Sequence, residues 1–192
     1  ELLKAGADAN KTSSEYDSPP LITAAQNGHV EVVKLLLNYK ADIEKARNDA
    51  VTPLHYAVYK EHTEIVKVLL RSGADVNKAS YNNFTPLFTA ASNGALEIIN
   101  ILIANGADVN KIEPNSGDTP LLTAAAKGHP EAVRTLLNAG ANIEQARNDA
   151  MTPLYFAVYN RHIEVVKELL NAGADANKIS HTNSTPLFRA SY

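Results

Sequence analysis

Thr-Pro-Leu recurs at Thr52-Pro53-Leu54, Thr85-Pro86-Leu87, Thr119-Pro120-Leu121, Thr152-Pro153-Leu154 and Thr185-Pro186-Leu187. A degenerate Pro19-Pro20-Leu21 precedes them at the same interval. The interval is about 33 residues, stretched by one between Pro86 and Pro120. A unit this short cannot bury its own apolar face, so it must stack on its neighbours. The chain is therefore expected to be a repeat array with no single central core.

Residues 52 to 78 show how one unit works. Thr52 suits an N-cap and Pro53 the first helical position, where a missing amide hydrogen costs nothing. Small residues follow on this first helix: Ala57 here, and Ala24-Ala25, Ala90-Ala91 and Ala124-Ala125 in other copies. A break then comes at Gly28-His29, Gly94-Ala95 or Gly128-His129, and Pro130 marks the first turn of a second helix. That helix carries Val32, Val33, Leu36 and Leu37, then Ile65, Val66, Leu69 and Leu70, then Ile98, Ile99, Leu102 and Ile103. The spacing makes a wide apolar stripe, as expected for a helix packed on two sides. Glu31 with Lys34 and Glu164 with Lys167 read as solvated helix charges. Gly73, Gly106, Gly140 and Gly173 end the helix, where a left-handed residue is favoured. The Asn- and Asp-rich stretch beyond them predicts a short hairpin before the next Thr-Pro.

Helix, turn, helix and hairpin on this period, with Thr-Pro-Leu-His-Tyr-Ala at 52–57, resembles the ankyrin repeat. The resemblance covers the whole chain. It divides into a partial repeat at 1–17, repeats near 18–50, 51–83, 84–117, 118–150 and 151–183, and a partial repeat at 184–192. It implies an all-α solenoid, right-handed and gently curved, with hairpins along one edge. The two incomplete ends read as a segment of a longer array.

Several copies depart from the family pattern. Glu61 and Arg161 replace the glycine before the second helix, and Lys40 replaces the helix-ending glycine. Ala50, Ala150, Asn83 and Asn183 stand where the hairpin glycine belongs. A left-handed backbone would cost Ala, Glu, Arg or Lys about 1 kcal/mol each, so locally altered turns are expected there.

A longer period overlies the short one. Ala46-Arg47-Asn48-Asp49-Ala50 returns as Ala146-Arg147-Asn148-Asp149-Ala150, and Ala57-Val58-Tyr59 with His62 as Ala157-Val158-Tyr159 with His162. A shift of about 100 residues aligns the halves better than a one-repeat shift, so three unlike repeats form a super-unit present nearly twice. This is either duplication without meaning for binding or one surface presented at regular intervals.

Composition excludes much. A net charge of −3 with no Lys/Arg run offers no attraction for nucleic acid or an anionic membrane. No apolar run could span a bilayer, which argues against direct insertion. The absence of cysteine removes disulfides, thiolate catalysis and Cys-based zinc sites, and agrees with a reducing, cytoplasmic setting. His29, His62, His129 and His162 open second helices, and by resemblance they, like His55, make structural hydrogen bonds. No HExxH, G-x-S-x-G or phosphate-binding loop occurs, so no catalytic, metal or cofactor site is expected. Asn10-Lys11-Thr12, Asn83-Phe84-Thr85 and Asn183-Ser184-Thr185 match the glycosylation sequon, which needs a secretory context.

The remaining signal lies where the resemblance implies partner contact: the concave face, the hairpin tips and the exposed end of the first helix. These positions are Tyr16, Gln26 and Asn27, then Asn48, Asp49, Val51, Tyr59 and Lys60, then Tyr81, Asn82, Phe84, Ser92 and Asn93. Asn115, Asp118 and Lys127 follow, and then Asn148, Asp149, Met151, Tyr159, Asn160 and His181. Tyrosine beside asparagine and serine suits a binding surface. Against this, Tyr59 and Tyr159 could fill space beside Ala57-Val58 and Ala157-Val158, and the asparagines could serve turn chemistry. The expected function is a non-catalytic module binding a protein partner. A spacer that associates end to end, or the recognition arm of a larger enzyme or toxin, are the alternatives.

Overall fold

The computed structural model describes residues 2–12, 18–180, 185, 186 and 188. Ten helices are described, in five pairs, and no strand forms among the described residues. The first helices of the pairs are α1 (Pro20–Gln26), α3 (Pro53–Tyr59), α5 (Pro86–Asn93), α7 (Pro120–Lys127) and α9 (Pro153–Tyr159). The second helices are α2 (Val30–Asn38), α4 (Thr63–Arg71), α6 (Leu96–Ala104), α8 (Pro130–Asn138) and α10 (Ile163–Asn171).

Three of the first helices, α3, α7 and α9, begin as the Thr-Pro pairs predict. Thr119 Oγ1 accepts the Leu122 amide at 3.2 Å, and Thr152 Oγ1 accepts the Tyr155 amide at 3.2 Å. Thr52 takes part in a reciprocal capping box in which the His55 ring plays the part glutamate usually plays. The helices stop by a shared device. After α3, the Glu61 amide donates to Val58 O at 3.0 Å and the His62 amide to Ala57 O at 2.9 Å. After α9 the corresponding bonds join Arg161 to Val158 and His162 to Ala157. After α2 they join Lys40 to Leu37 and Ala41 to Leu36. Each is a Schellman pair, which needs a left-handed residue between helix and loop.

The expectation of altered turns is therefore corrected. Lys40, Ala50, Glu61, Asn83, Ala150 and Arg161 all keep positive φ, between 56° and 62°. At Lys40, Glu61 and Arg161 the Schellman bonds hold the backbone in place and the side chain bears the strain. Asn183 lies outside the described residues.

Two compact units are resolved, residues 1–89 and 90–192, with the division inside α5. In the first, α1 packs on α2 and α3, and α4 on α2 and α3. Leu21, Ile22, Leu54, Ile65 and Leu69 are fully buried there. In the second, α7 packs on α8 and α9, and α8 lies against both α6 and α10. Its core includes Leu121, Leu136, Ala157 and Leu169. The predicted stripe holds at Ile65, Val66, Leu69 and Leu70, but Val32 at the position equivalent to Ile65 is 45% exposed. No second helix precedes α2 among the described residues, so one flank of its stripe stays uncovered.

The hairpins consist of paired tight turns. In residues 75–84, Lys78 donates to Asp75 O, Asn83 to Ser80 O, and Ser80 to Phe84 O at 3.1 Å. The loops are tied from repeat to repeat by side chains. In the first unit Asn10 Oδ1 accepts the Asp42 amide at 2.7 Å, and Glu44 Oε1 the Asp75 amide at 2.8 Å. In the second, Asn110 Oδ1 accepts the Asn142 amide and Glu144 Oε1 the Asp175 amide, each at 2.8 Å. Asparagine and glutamate links of this kind occur in both units. Burial pushes the Glu44 carboxyl above its ordinary value, and the bond from Asp75 opposes this.

Candidate protein-interaction site

Helix α3 and the tip at 80–84 enclose a cavity of about 230 Å³ lined by Val51, His55, Tyr56, Tyr59, Ser80, Phe84 and Thr89. Pro53 fixes where α3 starts, which sets Tyr56 and Tyr59 on the side that faces the tip. The tip is anchored twice. Tyr81 donates its amide to Asp49 O at 3.1 Å, and the Phe84 carbonyl lies 3.1 Å from His55 Nε2. Asp49 also accepts the Val51 amide at 3.1 Å, which closes the turn before α3. Phe84 meets Phe88 edge-on with ring centres 5.3 Å apart.

Much of this aromatic surface faces solvent: Tyr81 is 74% exposed, Tyr59 58% and Phe84 38%. Lys60 Nζ sits 5.1 Å from the centre of the Tyr59 ring. The Arg47 guanidinium donates to the Tyr56 hydroxyl, its central carbon 5.9 Å from the ring centre. Rigid aromatic area bordered by cations is what a binding surface uses, because rings lose little rotamer freedom on contact. Exposure weighs against the space-filling reading of Tyr59, since a packing residue would be covered.

The second super-unit varies the same theme. Tyr159 is 52% exposed. Tyr155 replaces His55 and is buried, Phe156 replaces Tyr56, and Met151 replaces Val51. Arg147 lies 5.4 Å from the Phe156 ring centre, with Asp118 at 3.5 Å and Asp149 at 3.9 Å. The tip carrying the extra residue is organised by Glu113, buried though charged. Its carboxylate accepts the amides of Asn115 and Ser116 at 2.9 and 2.7 Å and the Ser116 hydroxyl at 2.8 Å. The Asn115 amide above all holds this carboxyl below the usual range, against the pull of burial. Its contribution to stability is thus present at neutral pH and lost as acid protonates it.

The other candidate positions separate by what their polar groups already do. Asn148 donates its amide to Ser116 O at 2.9 Å and its side chain to Asn115 O at 2.9 Å. Asn27 bonds back to Thr23 O, and Asn160 to Ala126 O one repeat earlier. Turn and linkage chemistry thus occupies these asparagines. Gln26 and Ser92 offer their carbonyls to His62 and His129. Lys127, Asn48 and Asn82 are exposed, and Asn93 is half-buried. Tyr16 and His181 lie outside the described residues.

Sequence reasoning did not place Tyr56 or Arg47 at the site. The signal was present: Tyr56 on α3 and Lys60 at its C-cap are four apart and so share a side. Glu113 also went unpredicted, although the one-residue stretch of the period marks its loop. Four of the five histidines, His55, His62, His129 and His162, behave as the resemblance implied. The Nε2 atoms of His62, His129 and His162 lie 3.1, 3.0 and 3.0 Å from backbone carbonyls of the preceding repeat. Among the described residues no group of three His, Cys, Asp or Glu could hold a metal ion. No described helix is long and apolar enough to cross a membrane.

Comparison with known proteins agrees with this architecture. The 2-5A-dependent ribonuclease of Mus musculus is 40% identical over 53 residues, which are 28% of this chain and 7% of that protein. The pattern for ankyrin repeats matches three stretches, 1–80, 78–147 and 140–192, which together span every residue. The chain belongs to the ankyrin-repeat family, whose repeats are generally protein-interaction modules.

Proposed function

We propose that the chain is a non-catalytic module that binds a protein partner through the face formed by α3 and the 80–84 tip, with the α9 region as a second contact. The observation that carries this is the exposed aromatic area of α3 and the 80–84 tip, to which Tyr59, Tyr81 and Phe84 contribute. A few such anchors supply most of the energy of a typical interface. Within the first unit, Asp49, Lys60 and Asn82 border them with polar groups.

The test is alanine at Tyr59, Tyr81 and Tyr159 together. Affinity for a partner captured from the source cells should fall at least tenfold, with circular dichroism unchanged. Equal affinity of variant and wild type would remove this face from consideration.

The partial likeness to a ribonuclease favours a second reading, in which the repeats are the recognition arm of a larger enzyme. Activity from a polypeptide carrying these repeats and a further domain, and its loss when the aromatic face is altered, would distinguish the two.

A further inference from the structure

The two units treat the same arginine differently. Arg147 is half-buried, and its Nε lies 3.5 Å from Asp118 and 3.9 Å from Asp149, so two carboxylates flank the guanidinium. Arg47 occupies the matching place in the first unit and is exposed. There Ser18 stands where Asp118 stands in the second, one residue before Pro19-Pro20-Leu21 as Asp118 precedes Thr119-Pro120-Leu121. The Ser18 hydroxyl accepts from that of Thr23 at 3.4 Å and bears no charge. Asp49 is present, but its Oδ1 accepts the Val51 amide. Among the described residues no carboxylate lies within ion-pair distance of Arg47.

Arg47 is held instead by the Tyr56 hydroxyl, an oxygen that Phe156 at the matching position lacks. A neutral hydroxyl takes one N–H of the guanidinium and leaves its charge uncompensated. The five donors of that group form a planar fork that matches a carboxylate. At the far end of α3, Lys60 and Glu61 carry opposite charges, so the uncompensated charge of the site is that of Arg47. The cavity adjoins it, because Tyr56 both lines the cavity and takes the Arg47 bond. At about 230 Å³ it is smaller than the pockets that enclose small molecules, which begin at about 300 Å³, and it suits one apolar side chain. Val51, Tyr56, Tyr59 and Phe84 supply apolar walls, and both nitrogens of His55 are already engaged, by Thr52 and by the Phe84 carbonyl.

We propose that the α3 site takes an acidic segment of a protein partner, in which an Asp or Glu carboxylate pairs with Arg47 while a neighbouring apolar side chain enters the cavity. The partner supplies the charge that Asp118 supplies within the second unit. A carboxylate and a guanidinium form the stronger, charge-assisted kind of hydrogen bond, and the apolar neighbour excludes water beside it. This chemistry rests on the reading of that face as the interaction site. A carboxylate built into the chain at position 18 would compete with the partner's, which supplies the test.

The probe is a random peptide library displayed on phage, selected on the whole protein and on its variants. Wild type should enrich peptides in which an acidic residue neighbours a large apolar one. Ser18→Asp rebuilds the carboxylate of the second unit and should abolish the acidic preference, while the neutral Ser18→Asn keeps it. Arg47→Gln should lose it as well. Synthetic peptides from the wild-type selection should bind Ser18→Asp and Arg47→Gln about tenfold more weakly. Equal affinity for a selected peptide and its neutral amide counterpart, or equal losses in Ser18→Asp and Ser18→Asn, would overturn the acidic partner. Asp17 lies outside the described residues. An acidic preference that emerges only in Asp17→Asn would also overturn it, since the chain would then supply its own carboxylate. Apolar enrichment that Tyr59→Ala abolishes, with no acidic preference, would sink the acidic partner and leave the interaction site standing. No selected peptide whose binding depends on Tyr59 would remove the site itself, and the proposal with it.

Discussion

Gly128→Ala should destabilise the protein by about 2–4 kcal/mol, well beyond what a left-handed alanine alone would cost. Gly128 has φ +80°, and a Cβ built there would lie 2.6 Å from His162 Nδ1. That ring is held by its Nε2 contact with Ala126 O at 3.0 Å, so it cannot swing aside without losing the bond. Gly140 has φ +89° with nothing near its missing Cβ, so Gly140→Ala should cost only the backbone part, about 1 kcal/mol. Adding His162→Ala to Gly128→Ala should return the steric part, a coupling of at least about 1 kcal/mol in a double-mutant cycle. Arg161→Gly is the mirror case: φ is +59° with a side chain present, and about 1 kcal/mol should be gained. Urea unfolding read at several probes checks all four. Equal losses at Gly128 and Gly140 would show that the ring does not set the requirement.

Ile65→Ala should cost about 2–5 kcal/mol, and Val32→Ala, at the same position of the preceding repeat, less than about 1 kcal/mol. Ile65 is fully buried in α4, which lies against both α2 and α3. Val32 is 45% exposed. In a repeat array stability is a sum of local and neighbour terms, so the loss at Ile65 should loosen α2 to α4 before the second unit responds. Thermal unfolding with hydrogen exchange resolves both the size and the location. Similar losses at the two positions would show that repeat position, and not cover by neighbouring helices, sets the energetics.

These cases show what could be read in advance. The positions of Thr52, Pro53 and Gly73 fix where helices start and stop, because caps and left-handed residues are local requirements visible in sequence. The paired apolar positions mark the buried stripe for the same reason. Val32 shows the limit, since its exposure depends on which helix lies beside it. The strain at Glu61 and Arg161 was misjudged because the Schellman bonds outweigh a penalty of about 1 kcal/mol per residue. At the site, Tyr59, Tyr81 and Phe84 were legible as positions of a repeat. That His55 makes a structural hydrogen bond was legible too. Its partner, the Phe84 carbonyl, was not, because no local pattern joins the two segments. The Glu113 bonds are local, and only the one-residue stretch of the period pointed to that loop.

The central claim is that a partner meets the aromatic face of α3 and the 80–84 tip, and hydrogen exchange of the complex addresses it most directly. The prediction is added protection of backbone amides at 49–60 and 80–84, with the exposed side of α4 unchanged. Protection confined to α2 and α4, with 49–60 and 80–84 exchanging as in the free protein, would contradict it.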